Sequence, residues 1–345
     1  MHLVTILLKN SATHSTMLAN DQSQPQSFWV IVPTYNPGKD EWAQWLRALK
    51  AQVCQPQKVI VVDSGSVDGT QTLTQAEGHS FLEINAKDFD HGGTRQWALN
   101  KALEAAAKTQ ENSPEYVVFL TQDAILSEPF ALKNLLQAFD NPSVSAAYGR
   151  QLPKPDANWL EAFTRHFNYP EQSQTVSLAD REKLGLKACF FSNAFGAYRT
   201  QALLEQDGFS IGLPLGEDTL MAAKLLLSGQ SLQYQAQAAV YHSHHYNVLQ
   251  DFQRMFDTGV FHAQNKWLIQ TFGKPEAEGM RLVQSQWQYV WRQKNTLHLI
   301  WGAVQMLTTL GFKWCGYKIG TIHRLLPKRL SRYLSMYKSF WQQHP

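Results

Sequence analysis

Residues 58–70 read KVIVVDSGSVDGT. Four β-branched residues, Val59 to Val62, run without polar interruption, as in a strand buried on both faces, and the run stops at Asp63. Gly65 and Gly69 then supply tight turns, and a helix is expected to start near Asp68. A strand that passes through a turn into a helix is the repeating unit of a parallel sheet, so the flanking sequence decides whether the unit repeats.

It repeats in both directions. Upstream, FWVIVPTYN (28–36) is an apolar run broken by Pro33 and closed by Asn36, and EWAQWLRALKAQ (41–52) sets Trp42, Trp45, Leu46 and Leu49 on one helical face. Downstream, SFLEINA (80–86) is a short strand, TRQWALNKALEAAAK (94–108) a helix, and YVVFLTQDA (116–124) a fourth strand reaching Asp123. The alternation predicts an α/β fold with a doubly wound, mostly parallel sheet and ligands across its carboxyl edge. One polar residue at a strand end is ordinarily a turn or cap residue. Asn36, Asp63 and Asp123, on successive parallel strands, would share one crevice, which favours a functional reading. The peptide N–H groups of DSGSVDGT suit a phosphate-bearing nucleotide, although the segment is neither a G-x-x-x-x-G-K-[ST] loop nor a G-x-G-x-x-G fingerprint.

With 345 residues the chain can bury a full core as one large domain or two. Cys54, Cys189 and Cys315 are too few and scattered for a disulfide framework, which points to a reducing cytoplasm. Residues 1–27 have no basic n-region and no clear cleavage site, and most of them are polar, so a disordered tail is expected there. The net charge of +3 hides an asymmetry: from Arg281 onward there are ten Lys and Arg and no Asp or Glu. Trp287, Trp291, Trp301, Trp314 and Trp341 interleave with them. Such a surface suits the headgroup region of an anionic membrane, with Arg281, Arg292, Lys313, Lys328 and Arg329 as contacts. A nucleic-acid surface and a helical pair with a solvated basic side are the alternatives. The apolar segment LIWGAVQMLTTLGF (299–312) has little use on nucleic acid, so no nucleic-acid partner is expected. No segment reaches the length of a transmembrane helix.

The chain resembles the family 2 glycosyltransferases of the GT-A fold through six segments in the family's order: VIVPTYN, VIVVDSGSVDGT, FDHGGTRQWAL, FLTQDA, SNAFGAYR and LPLGEDTLMAAKLLLSGQ. Within the family, FDHGGTR, TQDA and YHSHHYNVLQDFQRMFDTGVFH (241–262) are similar to rhamnosyltransferases that build O-antigen from dTDP-rhamnose. The resemblance, which covers most of residues 28–270, implies a donor-binding part over 28–125 and an acceptor and catalytic part over 126–250; the basic, Trp-bearing composition adds a helical membrane-association region over 251–345.

It also implies roles. Asp63 would meet the donor base, in a pocket lined by Pro33, Tyr35, Asn36 and Gly65. His91, Gly92, Gly93, Arg95 and Gln122 would lie beside base and diphosphate, which Arg254 would also approach unless it is a surface charge. Asp123, the final acid of a D-x-D motif, would hold Mg²⁺ or Mn²⁺ with His242. Asp218 would be the catalytic base, and Asn193 and Glu217 would meet the acceptor. The implied reaction is inverting and metal-dependent, from a nucleotide sugar to a lipid-linked saccharide at the inner face of the cytoplasmic membrane. A UDP-sugar donor and a catalytically silent glycan-binding scaffold stay open. The departure from pattern is Thr121, which stands where D-x-D has its first acid; a nickel or zinc site from His242 and His244 is then conceivable, beside a plain surface reading of His244 and His245. The oligomeric state has no signal.

Overall fold

The structure, a computed structural model, describes residues 27–343 apart from 245, 275 and 293–295, so the expected tail and His245 fall outside the described residues. Among the described residues nine strands form one sheet: β1 (Phe28–Thr34), β2 (Lys58–Asp63), β3 (Ser80–Glu83), β4 (Tyr116–Leu120), β5 (Ile125–Leu126), β6 (Val144–Leu152), β7 (Gln174–Val176), β8 (Phe195–Arg199) and β9 (Ser231–Tyr241). Their order is β3-β2-β1-β4-β8-β6-β9-β5, with β7 also on β9. Strand β1 pairs parallel with β2 and β4, β2 with β3, and β6 with β9. Strand β8 lies antiparallel between β4 and β6. Because β8 is reversed, its first residues join the carboxyl ends of its neighbours, and this brings Asn193 to the edge where Asp63 and Asp123 stand.

The helices are α1 (Lys39–Lys50), α2 (Thr70–Ala76), α3 (His91–Lys108), α4 (Ala131–Leu136), α5 (Trp159–Asn168), α6 (Thr200–Glu205), α7 (Glu217–Leu227), α8 (Val248–Gln264), α9 (Lys266–Phe272), α10 (Glu276–Trp291), α11 (Thr296–Thr321) and α12 (Lys328–Leu334), with shorter turns between them. Strand alternation divides the apolar runs between two layers. Trp29, Ile31, Ile60 and Val62 pack with α3 and α7, whereas Val30, Val32, Val59 and Val61 pack with α1 and α4. Burial on both faces explains the unbroken β-branched runs.

Helix α8 crosses the expected boundary at residue 250 and is locked to α11 backbone to backbone. A Cβ at Gly316 or Gly320 would strike the carbonyl oxygen of Phe252 or Phe256, and one at Gly259 that of Tyr317. Helices α8 and α11 are thereby fastened to each other. Among the described residues no helix is long and apolar enough to cross a membrane.

Candidate active site

The carboxyl edge of the sheet opens into a cleft of ≈ 1870 Å³ bordered by Tyr35, Ser64, Asp123, Asp218, His242 and Arg254, among others. Widely separated stretches of sequence thus meet there.

The donor-side wall is built by hydrogen bonds between strand ends. Gln122 clamps Tyr35: its Oε1 accepts the Tyr35 N–H at 2.7 Å and its Nε2 donates to the Tyr35 carbonyl at 3.2 Å. Asn36 sits in the left-handed region at φ 43, and its Oδ1 accepts the Val67 N–H at 2.9 Å. Asp63 is 2% exposed and accepts four hydrogen bonds, from the Gly65 and Ser66 N–H groups and the Thr34 and Ser66 hydroxyls. Four donors fill a carboxylate's capacity, so Asp63 organises the turn, and Ser64 forms the adjacent wall. Pro33 and the exposed Tyr35 ring line the cleft directly.

Arg95 and Glu217 take different places from those expected. Arg95 Nη1 donates to Glu217 Oε1 at 3.1 Å and to the His91 carbonyl at 2.7 Å, and both side chains are almost wholly buried. They form an ion pair in the floor of the cleft, which both line, each charge answered by the other. Gly92 serves the same junction: a Cβ there would collide with the Ser210 carbonyl and come within 3.0 Å of Glu217 Cβ, so glycine lets α3 approach α7. The Gly93 N–H is taken by the Asp90 cap at 2.7 Å. Asn193, expected to meet acceptor, is 2% exposed; its amide bonds Tyr198 at 2.8 Å and Glu217 at 3.4 Å, while its N–H donates to Asp218 Oδ2 at 3.2 Å. It positions the acids.

Asp218 lies in the first turn of α7, where Oδ1 also accepts the Thr219 N–H at 2.8 Å. Burial, and then the neighbouring Glu217 charge, push its carboxyl up to about 7. Burial acts on Glu217 in the same direction, but Arg95 and His91 outweigh it and hold that acid below its ordinary value. Of the two adjacent acids, only Glu217 has a cation at hydrogen-bonding distance among the described residues, and this difference separates an ion-paired carboxylate from a carboxyl poised near neutrality. Arg254 Nη1 lies 3.4 Å from the Tyr337 hydroxyl, on the cleft wall.

In the same cleft, ligand atoms of Asp123, His242 and His244 lie within 4.8 Å of one another. Asp123 Oδ2 is 3.3 Å from His242 Nε2 and 3.5 Å from His244 Nδ1. Burial opposes the Asp123 charge, yet the imidazoles hold its carboxyl well below the usual range. Burial, with His242 adding to it, lowers His244 to about 3, so it is neutral at physiological pH. An ionised carboxylate and a neutral imidazole are the ligand forms of these groups. Gln151 Oε1 accepts from His242 Nδ1 at 3.0 Å, which leaves Nε2 free to ligate, and Gln151 is itself held by Ser192 and Arg165. The trio fits a divalent cation, and His244 offsets the acid absent at Thr121. The H-x-H spacing after an apolar strand is the signal for His244; Gln151, Arg165 and Tyr337 carry none.

Comparisons with known proteins give the family and the fold. Residues 29–206 match Glycosyl transferase family 2. The O-antigen chain rhamnosyltransferase RfbN of Salmonella typhimurium is 44% identical over 313 residues, 90% of this chain and 95% of its own. The O-antigen chain rhamnosyltransferase WbaN of Salmonella anatum is 42% identical over 315 residues, 91% and 96% respectively. Among solved structures, the mannosyltransferase PcManGT from Pyrobaculum calidifontis, in complex with GDP-Man and Mn²⁺, superposes with a TM-score of 0.54 at 17% identity, covering 92% of this chain and 95% of that one. S. aureus TarS 1–349 gives 0.51 at 18%, covering 90% and 84%. These last two likenesses concern the fold, which is GT-A. With half its length matching the family and two relatives above 40% identity across nearly their whole lengths, the chain belongs to glycosyl transferase family 2 and is a glycosyltransferase.

Proposed function

We propose that the enzyme transfers rhamnose from dTDP-rhamnose, with inversion, to a lipid-linked saccharide in O-antigen-type polysaccharide synthesis. The observation that carries the reading is that Asp218, a carboxyl poised near neutral pH, borders the same cleft as the Asp123–His242–His244 trio. The two rhamnosyltransferase relatives support the choice of sugar.

Asp123, His242 and His244 would hold the divalent cation, and a set with two imidazoles favours Mn²⁺ over Mg²⁺. When bound, the cation neutralises charge developing on the departing diphosphate. Asp218 takes the acceptor hydroxyl's proton as its oxygen bonds the anomeric carbon, while the bond to the diphosphate breaks and its electron pair leaves with the phosphate. The Asn193 and Thr219 N–H groups hold the Asp218 oxygens in place for that transfer. Arg254 offers guanidinium N–H groups to the diphosphate.

Purified protein incubated with dTDP-, UDP- and GDP-sugars should release dTDP from dTDP-rhamnose, stop on chelation, and resume with Mn²⁺. Equal or faster release from a UDP-sugar would refute the donor assignment.

The C-terminal helices fit peripheral attachment to the inner face of the cytoplasmic membrane. Trp291, Trp301 and Trp314 are 66%, 68% and 63% exposed, and Lys328 and Arg329 are exposed in a region free of acids. Lys313 leaves the set of headgroup contacts, because it pairs with Asp251 at 3.1 Å. Flotation should carry the protein with anionic vesicles and not with neutral ones, at about 1 kcal/mol per basic residue near the surface. Equal partition between the two defeats the electrostatic account.

A further inference from the structure

Asp257 takes no part in the chemistry above, yet it is 0% exposed and both its oxygens are occupied. It follows Arg254 by one turn on α8. Its Oδ1 accepts the Ser335 hydroxyl at 2.6 Å, and its Oδ2 accepts the N–H groups of Met336 at 2.8 Å and Tyr337 at 3.3 Å. The Ser335 hydroxyl in turn accepts the Tyr337 N–H at 3.0 Å, closing the turn on itself. A buried carboxylate that holds a hydroxyl and two successive peptide N–H groups fixes a chain segment by charge-assisted bonds. Glycine contacts lock α8 to α11, so the anchor stands on a helix pair packed backbone to backbone.

The anchored turn delivers Tyr337 to the catalytic cleft, which it lines. Its ring packs edge-on against His91, with centroids 4.8 Å apart, and its hydroxyl accepts from Arg254 Nη1 at 3.4 Å. A hydroxyl that accepts from a guanidinium keeps its own proton available to a third group. His91 Nε2 is buried beside it with no hydrogen-bond partner among the described residues. Three groups able to donate hydrogen bonds, none of them anionic, therefore meet at one point of the cleft.

We propose that Tyr337 is a substrate-contacting residue, donating its hydroxyl proton to a phosphate oxygen of the nucleoside diphosphate, and that Asp257 is the positioning residue that latches it there. The proposal rests on the reading of the cleft as a nucleotide-sugar site. It makes the C-terminal segment a part of the donor pocket, in addition to any role at a membrane.

The test is equilibrium titration of the full chain with dTDP and with UDP. Tyr337→Phe keeps the ring on His91 and removes only the hydroxyl. The expected result is about tenfold weaker binding of whichever diphosphate the wild type binds, the size of one charge-assisted hydrogen bond, with the donor KM rising by a similar factor. Asp257→Asn should weaken binding in the same direction. The double variant should bind no worse than the weaker single one, because both changes remove one contact. Unchanged affinity in Tyr337→Phe overturns the substrate contact, and fully additive losses in the double variant overturn the latch. Wild type that binds UDP and not dTDP refutes the donor base alone and leaves the Tyr337 comparison intact. Wild type that binds neither overturns both readings.

Discussion

Asp218→Asn is expected to lower kcat by about 10²–10⁴-fold, the usual contribution of a positioned general base. Nucleoside diphosphate affinity should stay within about twofold, because the lost interaction belongs to the transition state. The variant keeps the side chain's shape and one oxygen for the Asn193 or Thr219 N–H. In the wild type, kcat/KM should fall as pH drops below about 7, where Asp218 takes up a proton and cannot accept another. The same carboxyl gives a stability signature of defined sign. Its folded value is raised from 3.8 to about 7, so its contribution is fully present below the unfolded value and is lost as pH rises through the folded one. Asp218→Asn should therefore melt at a higher temperature than wild type at pH 8, and at nearly the same temperature at pH 3. A catalytically silent scaffold predicts no loss of turnover on this substitution. A variant that keeps wild-type kcat removes Asp218 from the base role whatever its melting behaviour.

Much of this site is legible in the sequence because strand ends are. Apolar runs that stop on Asn36, Asp63 and Asp123 declare both a buried parallel sheet and its ligand edge, and the cleft opens there. What local pattern conceals is the partner of each polar group. Asp63 has a strand-end acid's position, but its four hydrogen bonds come from its own turn and from Thr34 on the neighbouring strand. Arg95 and Glu217, 122 residues apart, look like two substrate contacts until the fold sets them face to face. Asn193 owes its place to the reversal of β8, which a short apolar run does not announce. His244 is one of three nearby histidines in the sequence, and only the fold, which sets its Nδ1 beside Asp123 together with His242 Nε2, makes it a candidate ligand. Tyr337 lies in a basic, aromatic-rich stretch whose composition points to a membrane; its role in the cleft depends on a hydrogen bond 79 residues back, between Met336 and Asp257.

Arg95→Ala is expected to destabilise the fold by about 3–5 kcal/mol, since removing one partner of a buried pair leaves the other charge uncompensated. Both side chains are nearly inaccessible, at 4% and 7% of their surface, so solvent cannot replace the guanidinium. The pH dependence separates this from a simple packing loss. With Arg95 present, Glu217 is held below its ordinary value, so the pair's contribution is present above the unfolded value and fades only as pH falls through the folded one. Without Arg95, burial loses its largest opponent and only His91 and the hydrogen bonds to Glu217 still oppose it, so the Glu217 value rises and the variant loses stability as pH rises. The penalty measured by denaturant midpoint should therefore be larger at pH 8 than at pH 4; a pH-independent penalty points to packing instead. Replacing both partners together, Arg95→Met with Glu217→Leu, should recover much of the stability, because no buried charge remains. It should also move the acid limb of the kcat/KM profile to lower pH, as Asp218 loses the neighbouring negative charge that raises it. A double variant whose limb stays near pH 7 assigns the Asp218 shift to burial alone.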